Sequence, residues 1–224
     1  MNTAMRQKRR KLLPEMEGPM ARWYARQRGT ESQLAVYRRQ AEELIAGLPP
    51  GSTVLEVAPG PGYLAVEMAK LGTVSVAGLD ISRTMVQIAA GNARTAGVDV
   101  DFRHGDASAM PFAANSFDLI VCQAAFKNFV DPRAALDEMH RVLRPGGVAV
   151  IQDMNRDASN ADVAREVAGM GLSPFNAAIT RSTLRFLRRR AYAGGDFARV
   201  AAGSAFGGCD VRAEGLELEV KLTK

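Results

Sequence analysis

Short apolar runs alternate with segments of helical spacing along most of this chain, and the two periods predict its elements. β-Branched and apolar clusters stand at 53–57, 74–79, 100–103, 119–122 and 148–151. Each is short and continuous, as strands buried on both faces require. Between the first two, YLAVEMAKL at 63–71 returns to helical spacing. Upstream, Leu34, Tyr37, Leu44, Ile45 and Leu48 among interleaved charges predict an amphipathic helix over 32–48, which Pro49, Pro50 and Gly51 end. Before it, Pro14, Gly18 and Pro19 break any long helix. Downstream, 155–205 is mainly helical, with helices predicted over 161–169 and 180–192. Leu216, Leu218, Val220 and Leu222 then alternate with Glu217, Glu219 and Lys221, which predicts a half-exposed strand turning at Gly215 from a partner over 207–212. Strands alternating with helices make this an α/β chain with a parallel, doubly wound sheet.

At 224 residues and 47% hydrophobic, the chain can bury one substantial core. No apolar run approaches the roughly 20 residues that span a bilayer, and the N-terminus lacks the apolar stretch of a secretory signal. No membrane span and a cytoplasmic location are therefore expected. Cys122 and Cys209 fit neither a disulfide framework nor a zinc site, so no metal is expected. The net charge of +5 is matched by Arg6, Lys8, Arg9, Arg10 and Lys11 alone. Such a short run reads as a solvated terminus rather than a nucleic-acid surface.

The chemistry concentrates at TVLEVAPGPG, 53–62, which reads as strand, tight loop and helix start. Glycines placed there let backbone N–H groups approach a bound ligand, with the helix dipole favouring its negative group. Gly60, Gly62 and Ala65 match G-x-G-x-x-G/A, and Asp80 stands near the distance of a ribose-binding acid. That motif alone leaves a nicotinamide cofactor open.

The neighbours narrow it. Glu56-x-Ala58-x-Gly60-x-Gly62 resembles the E/D-x-G-x-G-x-G loop of the class I S-adenosylmethionine-dependent methyltransferases. VAGLDIS at 76–82, HGDA at 104–107, FDLIVCQ at 117–123 and RVLRPGG at 141–147 resemble the same family in the same order, over 49–153. One position departs: Ala58 replaces the first glycine, a change a methyl group satisfies if that residue keeps φ negative. The resemblance implies a single Rossmann-like, doubly wound seven-stranded sheet, mostly parallel with an antiparallel C-terminal strand. It also implies a basic arm and helical lid over 1–48, and an S-adenosylmethionine-binding domain over 49–224 with a cap insertion at 155–205.

The resemblance further implies the roles of individual residues. Ala58, Gly60, Gly62 and Tyr63 belong to the loop and helix start, and Glu56 to the cofactor's ammonium group. Asp80 would accept both ribose hydroxyls, the bland alternative being a helix cap. Ile81 and Met85 would flank the adenine, whose edge would meet Gly105, Asp106 and Ala107. Gln123 falls at the end of the fourth strand, and Trp23, Tyr24, Arg28 and Phe126 are candidates for the lid and acceptor side.

Methyl transfer needs in-line positioning more than proton chemistry, and the need for a base depends on the acceptor. His140 sits at helical spacing from Leu136 and Leu143, and His104 belongs to the adenine side, so neither histidine suits that task. Lys127 and Asp153 are the catalytic candidates, against the alternative of salt-bridged loop residues. Arg181, Arg185, Arg188 and Arg189 form one face of the helix at 180–192, read as solvated rather than as a seat for an acidic acceptor. The function implied is methyl transfer to an O, N or C atom of a small organic acceptor, in the broad group that includes ubiquinone and menaquinone C-methyltransferases and natural-product methyltransferases. An RNA methyltransferase and a non-catalytic S-adenosylmethionine-binding module are the alternatives, and a homodimer is left open.

Overall fold

The computed structural model describes residues 15–224, so the basic run at 6–11 lies outside the described residues. Its elements are α1 (Gly18–Arg28), α2 (Glu31–Ile45), β1 (Ser52–Val57), α3 (Tyr63–Lys70), β2 (Val74–Asp80), α4 (Arg83–Ala96), β3 (Asp101–His104), β4 (Phe117–Gln123), α5 (Pro132–Val142), β5 (Leu143–Met154), α6 (Asn160–Gly169), α7 (Pro174–Arg188), α8 (Gly194–Ala202), β6 (Asp210–Glu214) and β7 (Glu217–Thr223). The strands form one seven-stranded sheet in the order β3-β2-β1-β4-β5-β7-β6. Pairing is parallel from β3 through β5, and β7 runs antiparallel to both β5 and β6. This is the expected Rossmann-like architecture, with one strand reversed.

The two-residue period of the strands sends alternate side chains to opposite helix layers. Leu55, Val57, Ile120 and Cys122 join Leu136, Met139, Phe197 and Leu218 in one core cluster. Val54, Leu119 and Val121 join Ala41, Ile45, Leu64 and Met68 in the other. Fully burying such a side chain contributes roughly 1.5–3 kcal/mol, so each layer is held by several anchors. Because Ala41 and Ile45 belong to α2, the helix before β1 shares the core of the sheet.

Local chemistry explains where helices begin. Ser82 caps α4 by accepting from the Met85 N–H at 3.0 Å, Asp131 caps α5 ahead of Pro132, and Ser159 with Asp162 forms a capping box on α6. Pro19 lies in the first turn of α1, where a missing N–H costs nothing, so Gly18 and Pro19 start a helix there, while Pro14 lies outside the described residues. The helix expected over 180–192 begins earlier, because Ser173 and Pro174 provide a start signal, and it stops at Arg188. Helix α8 opens on two glycines that masked it in the sequence, yet its Phe197 and Ala201 are buried. Among the described residues, no helix is long and apolar enough to cross a membrane.

Candidate functional site

Strand order reverses between β1 and β4, which leaves a crevice beyond the carboxyl ends of those strands. A cavity of about 780 Å³ opens there. Ala58, Gly60, Asp80, Ile81, Met85, Gly105, Asp106, Ala107, Gln123, Lys127 and Tyr24, all singled out in the sequence, line it.

The loop after β1 makes its turn with three left-handed residues, Ala58 at φ 57°, Gly60 at 55° and Gly62 at 74°. Ala58 therefore corrects the expectation of a negative φ. Its N–H donates to the Leu79 carbonyl at 2.7 Å, which holds the loop against the end of β2. The reversal that follows carries the Gly60 N–H to the Asp80 carboxylate at 2.9 Å. An L-residue in that conformation carries roughly 1–2 kcal/mol of strain. Gly62 is required for a second reason: a Cβ there would fall 2.7 Å from the Ala89 Cβ and from the Phe102 ring. A Cβ at Gly60 would meet nothing within 4 Å among the described residues.

Asp80 is the hub of the site. One carboxylate oxygen accepts the Gly60 N–H and the other the Ser82 N–H, at 2.8 Å. Ser82, not Asp80, caps α4. A carboxylate offers about four lone-pair sites, so each Asp80 oxygen retains one for a ligand. Burial raises its pKa, and the Ser82 and Gly60 N–H groups oppose that shift. On the neighbouring strand, Gly105 donates its N–H to the Asp80 carbonyl at 2.9 Å. Asp106 turns one oxygen to the Ser108 N–H and hydroxyl, and its other oxygen accepts no hydrogen bond among the described residues.

Glu56 sits one strand position before the loop and does not reach the cavity surface. It is 4% exposed, and its Oε2 has no hydrogen-bond partner among the described residues. Burial, seconded by the nearby Asp80 charge, pushes its pKa up to about 8, against the Ala65 N–H. Burial thus favours the neutral form of this carboxyl under the loop.

Lys127 and Asp153, chosen separately from the sequence, meet as an ion pair at 2.7 Å. The Lys127 ammonium also donates to the Ala124 carbonyl, and the Lys127 and Met154 N–H groups donate to the same carboxylate. Lys127 lines the cavity while Asp153 lies behind it. Ala124, at φ 54°, is a second left-handed alanine on the cavity wall.

Three lid candidates lie off the cavity. Trp23 points to solvent, and Arg28 is turned back onto Tyr37, donating to its hydroxyl at 3.0 Å. Phe126 is fully buried against Tyr192 and Phe197 because the short turn over Phe126–Asn128 aims it into the core. Tyr63 and Gly62 act behind the wall, with the Tyr63 hydroxyl donating to the Ala25 carbonyl at 3.0 Å. Sequence reasoning missed Glu15, Met16 and Glu17. The Glu17 carboxylate accepts the Arg83 and Thr84 N–H groups at the start of α4, which places Met16 and Glu15 on the cavity. It also missed Arg156 and Arg190, which with Arg189 line the cap side. For Arg190 the available signal was a stretch, 167–195, that holds five arginines and no acid.

Residues 55–151 match a family described as a methyltransferase domain. A ubiquinone/menaquinone biosynthesis C-methyltransferase of Bdellovibrio bacteriovorus is 38% identical over 112 residues, covering 50% of this chain and 48% of that protein. A demethylmenaquinone methyltransferase of Renibacterium salmoninarum is 40% identical over 109 residues, covering 49% and 44%. The chain thus spans about half the length of the curated relatives it matches. A crystal structure of an S-adenosylmethionine-dependent methyltransferase from Aquifex aeolicus superposes with a TM-score of 0.67 at 18% identity, over 90% of this chain and 97% of that one, a likeness of fold.

Proposed function

We propose that this chain, whose residues 55–151 match a methyltransferase domain, is a class I S-adenosylmethionine-dependent methyltransferase that transfers a methyl group from that cofactor to an O, N or C atom of a small organic acceptor in the cytoplasm. The observation that carries this reading is the Asp80 carboxylate, fixed by the Gly60 and Ser82 N–H groups with a lone pair left on each oxygen at the cavity wall. Two hydroxyls on adjacent carbons suit that geometry. The open backbone at Gly60 and the orphaned Oε2 of Glu56 fit the same ligand's main chain and ammonium group.

S-adenosylmethionine, when bound, supplies a methyl group on a sulfonium, already an activated electrophile. This chain's own work is binding and orientation. Asp80 would hold the ribose, the second oxygen of Asp106 would take the adenine amino group, the Ala107 N–H would meet a ring nitrogen, and Ile81 and Met85 would pack against the ring. Glu56 would answer the ammonium across the loop. Lys127 is held by Asp153 and by a carbonyl, so it shapes the wall rather than removing a proton. Orientation of the acceptor against the methyl carbon is worth roughly 7–11 kcal/mol of barrier, enough to make positioning the main contribution. Acceptors of the reduced-quinone type are the first to screen, given the relatives' names.

Calorimetric titration tests the reading. S-adenosylmethionine and S-adenosylhomocysteine are expected to bind and NAD is not, and Asp80→Asn, with its melting temperature checked, is expected to weaken binding about 100-fold through loss of two charge-assisted bonds. Binding of NAD alone would overturn the assignment.

A further inference from the structure

The cap presents a face that methyl transfer leaves unused. Helix α7 has no fully buried residue. Phe175 is 74% exposed, Ile179 51% and Phe186 59%. At roughly 100° per residue these three fall within about 40° of one another, a single apolar stripe turned away from the domain. Leu184 and Leu187 lie on the opposite side and are partly buried. Met170 and Leu172, in the link from α6, extend the exposed apolar surface. Arg185 and Arg189 lie along one edge of the stripe, and both are exposed. No acid occurs between Glu166 and Asp196.

We propose that this face of α7 docks on an anionic phospholipid surface. Phe175, Ile179 and Phe186 enter the boundary between headgroups and acyl chains, and Arg185 and Arg189 stay at the level of the phosphates. The composition is that of a helix lying in a membrane interface: apolar and aromatic residues on one stripe, cations beside it, no anions. Charge decides among occupants. A second copy laid symmetrically on the same face would set arginines against arginines with no acid between them. A nucleic acid would satisfy the arginines and leave two phenylalanines and an isoleucine in water. Only an anionic bilayer answers both halves of the surface. The chain past α7 continues directly into Arg189 and Arg190 on the cavity wall, so the C-terminal end of the docked helix adjoins the cavity. An apolar acceptor dissolved in the bilayer would then enter without crossing bulk water.

The test is co-sedimentation of the full chain with extruded vesicles of phosphatidylcholine, with and without one third phosphatidylglycerol. Binding is expected to the anionic vesicles only and to weaken with added salt. Phe175→Ser with Phe186→Ser, and separately Arg185→Gln with Arg189→Gln, are each expected to reduce it about tenfold or more. The serine pair is expected to leave S-adenosylmethionine affinity and melting temperature unchanged, which separates a lost surface from a lost fold. Absence of binding to anionic vesicles overturns the proposal, as does binding that both double variants retain. It is equally overturned if binding disappears only when Arg6, Lys8, Arg9, Arg10 and Lys11 are replaced by Gln, or if the stripe drives a dimer that Phe175→Ser with Phe186→Ser dissolves.

Discussion

Two alanines carry the strain of the cavity wall. Ala58 and Ala124 both hold positive φ at the ends of β1 and β4, where each N–H donates to a carbonyl of a neighbouring strand. Ala58→Gly removes the Cβ penalty and returns part of the gain as unfolded-state entropy, so urea denaturation should show a stabilisation between zero and about 1 kcal/mol. Ala58→Val should instead destabilise by more than 1 kcal/mol, since a branched side chain tolerates that region least. Glu56 makes a second prediction. Its folded pKa of about 8 stands above the ordinary 4.5, so between those values the folded protein retains a proton that the unfolded chain has released. Stability therefore falls as pH rises through that window, and Glu56→Gln should flatten the melting-temperature profile over it. If the cofactor's ammonium meets Glu56, binding near pH 7 should release a proton, measurable as a dependence of calorimetric heat on buffer ionisation enthalpy. At this scale the sequence was partly legible. Asp80, ending β2, and Asp106, just past β3, were placed at the cavity by position along the chain, whereas the φ of Ala58 follows from how the loop closes on Leu79, which no local pattern encodes.

At the scale of elements, the ion pair Lys127–Asp153 ties the turn after β4 to the end of β5. Its side chains are 9% and 4% exposed, so removing one partner leaves a buried charge. Asp153→Asn should cost about 3–5 kcal/mol in chemical denaturation. Lys127→Met with Asp153→Asn should cost clearly less than the sum of the single changes, and additivity of the two would show that the pair is not coupled. Both residues were visible in the sequence as candidates, but their contact was not. It depends on the register that sets Gln123 opposite Gln152, a long-range choice. Helix boundaries followed the same rule. Capping signals at Ser82, Asp131 and Ser159 are local and readable, while α8 is fixed by the burial of Phe197 against a core assembled from distant strands. Phe126 was misplaced for that reason too, since an aromatic residue after a strand suits a pocket or a core equally well.

Across the whole molecule, the doubly wound parallel architecture was the most legible property, because five apolar runs spaced by helices admit few topologies and the glycine loop marks the switch point. What covers the switch point was less so, since the cap helices carry two apolar stripes and only packing shows which one faces inward. Cys122 turns this layered burial into a clock. It lies in the middle of the sheet, fully buried, and burial raises its thiol pKa, whereas Cys209 is only partly covered. A thiol reagent should modify the chain in two phases, a fast one at Cys209 and a slow one that waits for β4 to part from β1 and β5. The slow rate reports the free energy of opening, without denaturant and from the unmodified sequence. A ligand held by the folded state alone, at about 100 times its dissociation constant, should retard that phase about 100-fold and leave the first unchanged. Timing the disappearance of one thiol would then rank cofactors and acceptors before any product is known.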